Sequence, residues 1–321
     1  MTRLLVTGGC GFIGSNFVNY WLRNHPDDYV VNLDKMTYAA DENYVEESLK
    51  GKSYKLVKGD IADKELVMSI TEDIDTVINF AAESHVDNAI NEPSAFLRSN
   101  YQGVFNFLEA ARKRDLRFHQ ISTDEVYGSL PLDSEAKFHE ESCYNPRNPY
   151  SATKAAADML IRAYINTYGI RATISNCSNN FGPHQHPEKL IPKTVLNAVL
   201  NRKIPLYGDG RQVRDWIFVE DHVRAIELIL KKGKVGESYL ISAGNERRNI
   251  DVVTEILRLL KKGKDLIEFV SDRPGHDVRY ALESNKIKSL GWKPLNDFSK
   301  SLDATVNHYL KEFNSYSRKA T

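Results

Sequence analysis

Short apolar runs alternate with helix-period segments through the first half of the chain. Residues 4–7, 30–34, 55–60, 76–80, 118–122 and 172–176 read as strands, while 12–24, 64–71, 94–113 and 150–168 carry apolar residues at helical spacing. The last two helices are long enough to cross a sheet face. Such a rhythm builds βαβ units and a parallel sheet, so the expected fold class is α/β, a doubly wound parallel sheet covered on both faces. After about Cys177 the pattern loosens into short helices and loops broken at Gly208-Asp209-Gly210 and Pro274-Gly275, with an amphipathic helix near 251–262. This predicts a first domain over 1–176 and a smaller α/β domain made mainly from 177–321. No Gly/Ser-rich or Pro-rich linker separates them, so segments are expected to be exchanged between the two. The tail at 315–321 is expected to fray.

Charge and cysteine content narrow the function classes. The 321 residues hold 43 Lys+Arg against 43 Asp+Glu, so no global field attracts nucleic acid or an anionic membrane. No stretch approaches the roughly 18 uninterrupted apolar residues of a membrane span. The N-terminus runs directly into Arg3-Leu4-Leu5-Val6 with no signal-peptide pattern, and a cytoplasmic location is expected. Cys10, Cys143 and Cys177 are odd in number and far apart, which argues against a disulfide framework or a zinc site. His184-x-His186 lacks a third ligand, and no metal is expected.

The first strand leads into Thr7-Gly8-Gly9-Cys10-Gly11-Phe12-Ile13-Gly14, with glycines at 8, 11 and 14. Glycines so spaced between a strand and a helix allow a tight turn and close approach of backbone to a pyrophosphate at the helix N-terminus. Asp34 ends the second strand 20 residues beyond Gly14. A carboxylate there accepts hydrogen bonds from an adenosine ribose and repels a 2′-phosphate, which favours NAD over NADP and makes the first domain a Rossmann-type NAD-binding domain. Asp60-Ile61 closes the third strand, where it can flank the adenine.

Tyr150 and Lys154 lie four residues apart, on one helix face. The lysine is expected to lower the phenol pKa, so that Tyr150 takes a proton from a substrate hydroxyl as hydride leaves for NAD. The fifth strand ends in Ser122-Thr123-Asp124-Glu125, at the carboxyl edge where doubly wound folds place ligands. Thr123 can orient the reacting oxygen. An adjacent acid and base suit elimination of water. Once C4 of a hexose is a ketone, Glu125 can remove the C5 hydrogen while a protonated Asp124 donates to the departing C6 oxygen. Burial and the Glu125 charge are expected to keep Asp124 protonated.

Together these residues resemble the extended short-chain dehydrogenase/reductase superfamily and, within it, the nucleotide-sugar 4,6-dehydratases. The resemblance runs from Leu4 to about Trp292 and includes Ala81-Ala82-Glu83-Ser84-His85-Val86-Asp87, the 122–128 segment, Asn176-Cys177-Ser178-Asn179-Asn180, Pro187-Glu188-Lys189-Leu190-Ile191-Pro192, Arg214-Asp215-Trp216 and Asp272-Arg273-Pro274-Gly275-His276-Asp277. Thr123-Asp124-Glu125 is its specific part, because related epimerases lack the acidic pair. The resemblance implies NAD contacts at Phe12, Ile13, Asp34, Lys35, Thr37, Asp60, Ile61, Phe80, Ala81, Ala82, Glu83, Ser99, Tyr150, Lys154 and Asn180, beside the glycines. For the nucleotide sugar it implies Ser84, Thr123, Asn179, Glu188, Lys189, Leu190, Pro205, Tyr207, Arg214, Asn249, Arg273 and His276. Arg214 and Arg273 suit the diphosphate chemically.

The implied reaction is conversion of an NDP-hexose, with dTDP-glucose favoured, to the NDP-4-keto-6-deoxy-hexose and water, with NAD regenerated each turnover. Asn88, Tyr38-Ala39-Ala40 and His186 depart from the thymidine-enzyme pattern, so a UDP-N-acetylglucosamine or UDP-glucose dehydratase stays open, and less so a 4-epimerase. The resemblance also implies that the 94–113 and 150–168 helices pair across a two-fold axis in a homodimer.

Overall fold

The computed structural model describes the backbone of residues 1–319 and the side chains of 1–313, so the tail expected to fray at 315–321 lies outside the residues described in full. The first part runs β1 (Arg3–Thr7), α1 (Phe12–Asn24), β2 (Tyr29–Asp34), β3 (Tyr54–Lys58), α2 (Lys64–Ile70), β4 (Thr76–Asn79), α3 (Val86–Asn91), α4 (Pro93–Phe96), α5 (Val104–Lys113), β5 (Arg117–Thr123), α6 (Pro149–Tyr168) and β6 (Ala172–Cys177). The remainder runs β7 (Asn179–Phe181), α7 (Leu190–Val199), β8 (Ile204–Tyr207), β9 (Val213–Phe218), α8 (Val219–Lys232), β10 (Ser238–Ile241), β11 (Glu246–Arg248), α9 (Asn249–Leu259), β12 (Ile267–Val270), α10 (Asn285–Ser289) and α11 (Phe298–Lys319). Among the described residues no helix is long and apolar enough to cross a membrane.

Seven strands form one parallel sheet in the order β10-β6-β5-β4-β1-β2-β3. Successive side chains of a strand point to opposite faces, and β1 shows the consequence. Leu5 packs with Phe107, Phe118 and Ile161 on one face, while Leu4 and Val6 pack with Phe17, Val18, Val223 and Ile226 on the other. Burial on both faces is why these strands read as continuous apolar runs. The order reverses between β1 and β4, which opens a crevice at their carboxyl ends.

The second half makes a three-stranded sheet, β11-β9-β7, and a two-stranded one, β12-β8. Around them α7, α9 and α11 contribute Ile191, Val195, Val252, Ile256, Leu302 and Val306 to a separate core. The segment from α8 to β10 returns to the large sheet: α8 packs beside α1, and β10 pairs with β6.

Three expectations shift. The segment at 94–113 is not one helix. A π-type stretch, Leu97–Gly103, separates α4 from α5, and within it the buried Asn100 accepts from the Glu83 backbone N–H (2.9 Å) and donates to the Glu83 carbonyl (3.0 Å) and to Thr153 Oγ1 (3.0 Å). Such bulges are frequent at functional sites, and this one holds Glu83, a residue of the cleft. The other two changes shorten strands: β3 ends at Lys58 and β4 at Asn79, which leaves Asp60 and Phe80 in loops facing the crevice.

Asn148 sets where α6 begins. Its Oδ1 accepts from Ser151 N (2.9 Å), Ser151 Oγ accepts from Asn148 N (3.3 Å), and Pro149 takes the first helical position. Replacing Asn148 by Ala is expected to cost about 1 kcal/mol, read as a lower urea midpoint at unchanged slope.

Candidate active site

The loop from β1 into α1 forms one wall. Gly8 sits at φ 68°, a left-handed conformation that glycine adopts without strain, and a side chain at Gly14 would overlap the Gly8 carbonyl. No side chain caps the first turn of α1, so its backbone N–H groups are left for an anion. Asp34 accepts from Cys10 N (2.9 Å) and Met36 N (2.8 Å) at the end of β2. Burial pushes its carboxyl up and these two bonds oppose the push. At Asp60 the balance goes the other way. Against burial, the Ala62 N–H and the cations Lys35 (3.1 Å) and Arg98 (3.1 Å) hold the carboxyl below its usual range.

One cleft is lined by Gly8, Gly11, Phe12, Ile13, Gly14, Asp34, Lys35, Thr37, Asp60, Ile61, the Phe80-Ala81-Ala82-Glu83-Ser84 run, Ser99 and Asn180. The same cleft reaches Thr123, Asp124, Glu125, Tyr150 and Lys154, then Asn179, Glu188 and Lys189. A glycine cradle at an uncapped helix start, a ribose-distance carboxylate and a continuous groove fit a dinucleotide.

The chemical end of the cleft is buried. Thr123 closes β5, and the turn Asp124–Tyr127 follows at once. Thr123 Oγ1 accepts from Glu125 N (3.3 Å) and donates to Asp124 Oδ1 (3.3 Å), so one hydroxyl both caps the turn and holds the acid. The other carboxyl oxygens, Asp124 Oδ2 and Glu125 Oε2, are buried without partners. Burial first, and then the Glu125 charge, pushes Asp124 well above the normal carboxylate range. Glu125 is also raised by burial, but Arg273, Arg214 and Lys189 oppose the shift. The two carboxyls are thereby pushed apart, with the proton favoured on Asp124.

Tyr150 and Lys154 project from the first turns of α6, both buried. The Lys154 Nζ donates to the Ile121 carbonyl at 2.7 Å. The expected lowering of the phenol by Lys154 is not what the free chain shows. Burial, followed by the Glu125 charge, holds Tyr150 well above its ordinary value, and the Thr123 hydroxyl is the group that opposes it.

The expected sugar-nucleotide residues fall into two groups. Ser84, Asn179, Glu188 and Lys189 line the cleft, where Lys189 Nζ donates to the Ser84 carbonyl (3.0 Å) and Tyr38 OH donates to Glu188 (3.3 Å). Arg214, Tyr207, Arg273 and His276 gather on the facing side. Arg214 is buried over the Tyr280 ring (4.3 Å), donates to the Asp277 carbonyl (2.8 Å) and meets His276 Nε2 (3.2 Å). Asp87 joins the halves, accepting from Tyr207 OH (3.0 Å) and lying 3.6 Å from Arg273 Nη1. Pro205 lies in β8 and Asn249 starts α9, its Oδ1 buried without a partner. The Leu190 side chain turns into the apolar cores around α7 instead.

Several site groups carry no distinctive sequence signal. Arg98 and Tyr280 enter only through tertiary packing. Asp87 and Asp277 stand inside quoted motifs, yet nothing in their spacing marks their partners.

Known proteins are similar to this chain over nearly its whole length. A family model described as GDP-mannose 4,6 dehydratase matches residues 5–305. A dTDP-glucose 4,6-dehydratase of Mycobacterium tuberculosis is 51% identical over 312 residues, 96% of this chain and 93% of that one. A dTDP-glucose 4,6-dehydratase from Bacillus anthracis, solved in complex with NAD, superposes with a TM-score of 0.90 at 43% identity over 98% of both chains. A UDP-glucose 4-epimerase from Thermus thermophilus, also solved with NAD, gives 0.88 at 26% identity over 96% of this chain and 99% of that one.

The buried acid has a measurable cost. Between the unfolded Asp124 pKa and its raised folded value, the unfolded state binds fewer protons than the folded one, so stability falls as pH rises through that window. Asp124→Asn removes this term. The variant is expected to melt higher than wild type at pH 7, with the gap narrowing toward pH 4 in thermal scans.

Proposed function

The chain belongs to the nucleotide-sugar 4,6-dehydratases typified by the GDP-mannose 4,6 dehydratase family, and from that premise we propose that it is an NAD-dependent hydro-lyase acting on dTDP-glucose. Relatives carrying that activity, 51% and 47% identical over 96% and 99% of the chain, support the nucleotide and sugar. The observation that carries the reading is the buried Asp124–Glu125 pair beside Tyr150, since oxidation and re-reduction at C4 alone need no second acid and base.

The chemistry NAD supplies when bound is hydride acceptance from C4 and hydride return to C6, and its oxidised ring carries a positive charge that favours the phenolate. Tyr150 takes the O4 proton, while Thr123 orients that oxygen and the Lys154 ammonium stabilises the phenolate. With C4 a ketone, the C5 hydrogen is acidic and Glu125 removes it. Asp124, protonated beforehand, gives its proton to the C6 oxygen, which leaves as water. Glu125 returns a proton to C5 as C6 is reduced. Arg214, Arg273 and Lys189 hold the diphosphate side of the substrate and lower the cost of a charged Glu125.

The remaining proposed residue roles follow the cleft: the glycine loop with Asp34, Asp60 and Asn180 toward NAD, and Ser84, Asn179 and Glu188 toward the sugar nucleotide. We place the enzyme in the cytoplasm, where NAD and nucleotide sugars are available. A homodimer is proposed from the exposed Leu97, Tyr101 and Met159 on the adjacent α4–α5 and α6 segments.

Glu125→Gln is expected to lower formation of the dehydrated sugar at least about a hundredfold while substrate still reduces the bound cofactor. Mass spectrometry of the product together with nicotinamide absorbance checks both halves. A product of unchanged mass from the wild-type enzyme identifies an epimerase instead. Leu97→Glu with Met159→Glu is expected to halve the mass measured by light scattering.

A further inference from the structure

One buried carboxylate has no part in the reaction just described. Asp158 lies on α6 one turn beyond Lys154 and is fully buried. Its Oδ2 accepts three hydrogen bonds, from Ser122 Oγ (2.6 Å), Asn176 Nδ2 (3.1 Å) and Tyr144 OH (3.2 Å), while Oδ1 has no partner. Two of these donors are register partners on β5 and β6, and Asn176 Nδ2 also donates to the Thr123 carbonyl (3.2 Å). Burial pushes the Asp158 carboxyl up, and Lys154 with the three donors converging on one oxygen opposes that push in favour of the ionised form.

Lys154 presents the complementary problem. Its ammonium is buried, its hydrogen bond is to the uncharged Ile121 carbonyl, and among the described residues no carboxylate makes a direct ion pair with it. An unpaired buried ammonium tends to lose its proton. Of the titratable groups around it, Tyr150 and Cys177 are held neutral by burial, which leaves Asp158 as the negative charge one helical turn away.

We propose that Asp158 is a positioning residue that acts through Lys154, supplying the buried negative charge that keeps the lysine an ammonium at working pH. Asp158 does not touch the reacting atoms. Its own surroundings are Tyr144 and Tyr127, both neutral, and Arg162, which donates to Tyr144 OH (3.1 Å) and sits over that ring (4.8 Å). The 150, 154, 158 and 162 positions therefore form one stripe of α6, phenol, ammonium, carboxylate and guanidinium in order. Lys154 and the three donors at Oδ2 together oppose the upward push that burial exerts on the Asp158 carboxyl. The inference rests on the proposed role of Lys154 in the dehydratase reaction.

Asp158→Asn keeps an acceptor for the three donors and removes the charge. Losing the negative charge disfavours the ammonium, so the alkaline limb of the kcat/KM profile is expected to move about one pH unit lower, with activity on that shoulder down about tenfold. Asp158→Glu is expected to restore the limb. A profile of unchanged shape, scaled down uniformly, would make Asp158 merely structural and overturn the proposal. The wild-type protein supplies an independent measurement should Asp158→Asn fail to fold. With isotope-labelled lysine, the Lys154 side-chain NMR signal, assigned by its loss in Lys154→Arg, is expected to report an ammonium at pH 7. A neutral amine overturns the proposal. That readout needs no substrate, so it is separate from a failure of the wild-type enzyme to dehydrate dTDP-glucose.

Discussion

The parallel register of β5 and β6 sets Ser122 opposite Asn176 and Thr123 opposite Cys177, and the chemistry of the cleft is built on that alignment. It brings the end of one strand, which continues into Asp124 and Glu125, beside the end of the next, which continues into Ser178, Asn179 and Asn180. A slip of one residue would turn every side chain of the pair to the opposite face. The register is secured from both sides. Phe118 and Ile174 point into one apolar layer, and His119 is buried between Thr173 Oγ1 (2.9 Å) and Ser175 Oγ (3.1 Å). Burial holds that imidazole neutral, its pKa pushed down to about 3, so it serves as a polar spacer and carries no charge.

Fixing the strands in this way permits an arrangement that would be unfavourable on its own. Asp124, Glu125, Tyr150 and Lys154 are all removed from water, and for each of them burial is the leading cause of the shifted proton affinity. Desolvation makes the carboxyls and the phenol hold their protons and makes the lysine give its proton up. Charges from the second half of the chain then separate the two carboxyls, because Arg273 and Arg214 are the principal groups opposing burial at Glu125, whereas at Asp124 the neighbouring Glu125 charge adds to it. The proton affinities of the pair are thus separated largely by Arg273 and Lys189, which act on Glu125, and the two side chains differ little in intrinsic chemistry.

Local features of this site are readable in the sequence, and features that need the chain to return on itself are not. The glycines at 8, 11 and 14, Asp34, and the Tyr150/Lys154 pair are spaced by the geometry of a single strand, turn or helix, so spacing alone brings them together. The break at Leu97–Gly103 is hidden because its cause, Asn100 binding Glu83 and Thr153, lies in two distant segments. The return of β10 to the large sheet is equally invisible in a run of four ordinary strand residues. The effect of Lys154 on Tyr150 fails for a different reason. Helical spacing places the two side chains on one face, but the ammonium is claimed by the Ile121 carbonyl of β5, a group that no local pattern specifies.

The balanced total of 43 positive and 43 negative residues acquires a physical meaning once the site is in view. A dinucleotide and a nucleotide sugar both bring diphosphates, yet a global positive field would act on every polyanion in the cell and not on these two alone. Under the proposed function, the chain instead concentrates recognition in a few local features. On the cofactor side it uses the uncapped start of α1, whose backbone dipoles cost no buried charge. On the substrate side, under the proposed function, it uses Arg214, buried against the Tyr280 ring and bound to the Asp277 carbonyl, and the partly exposed Arg273, held by Tyr207 and Asp87. A buried guanidinium such as that of Arg214 has given up most of its hydration before a ligand arrives, so its attraction for a phosphate is less weakened by water and is fixed in direction. Neutrality overall and strong anion recognition locally are therefore two parts of one solution, in which selectivity comes from geometry.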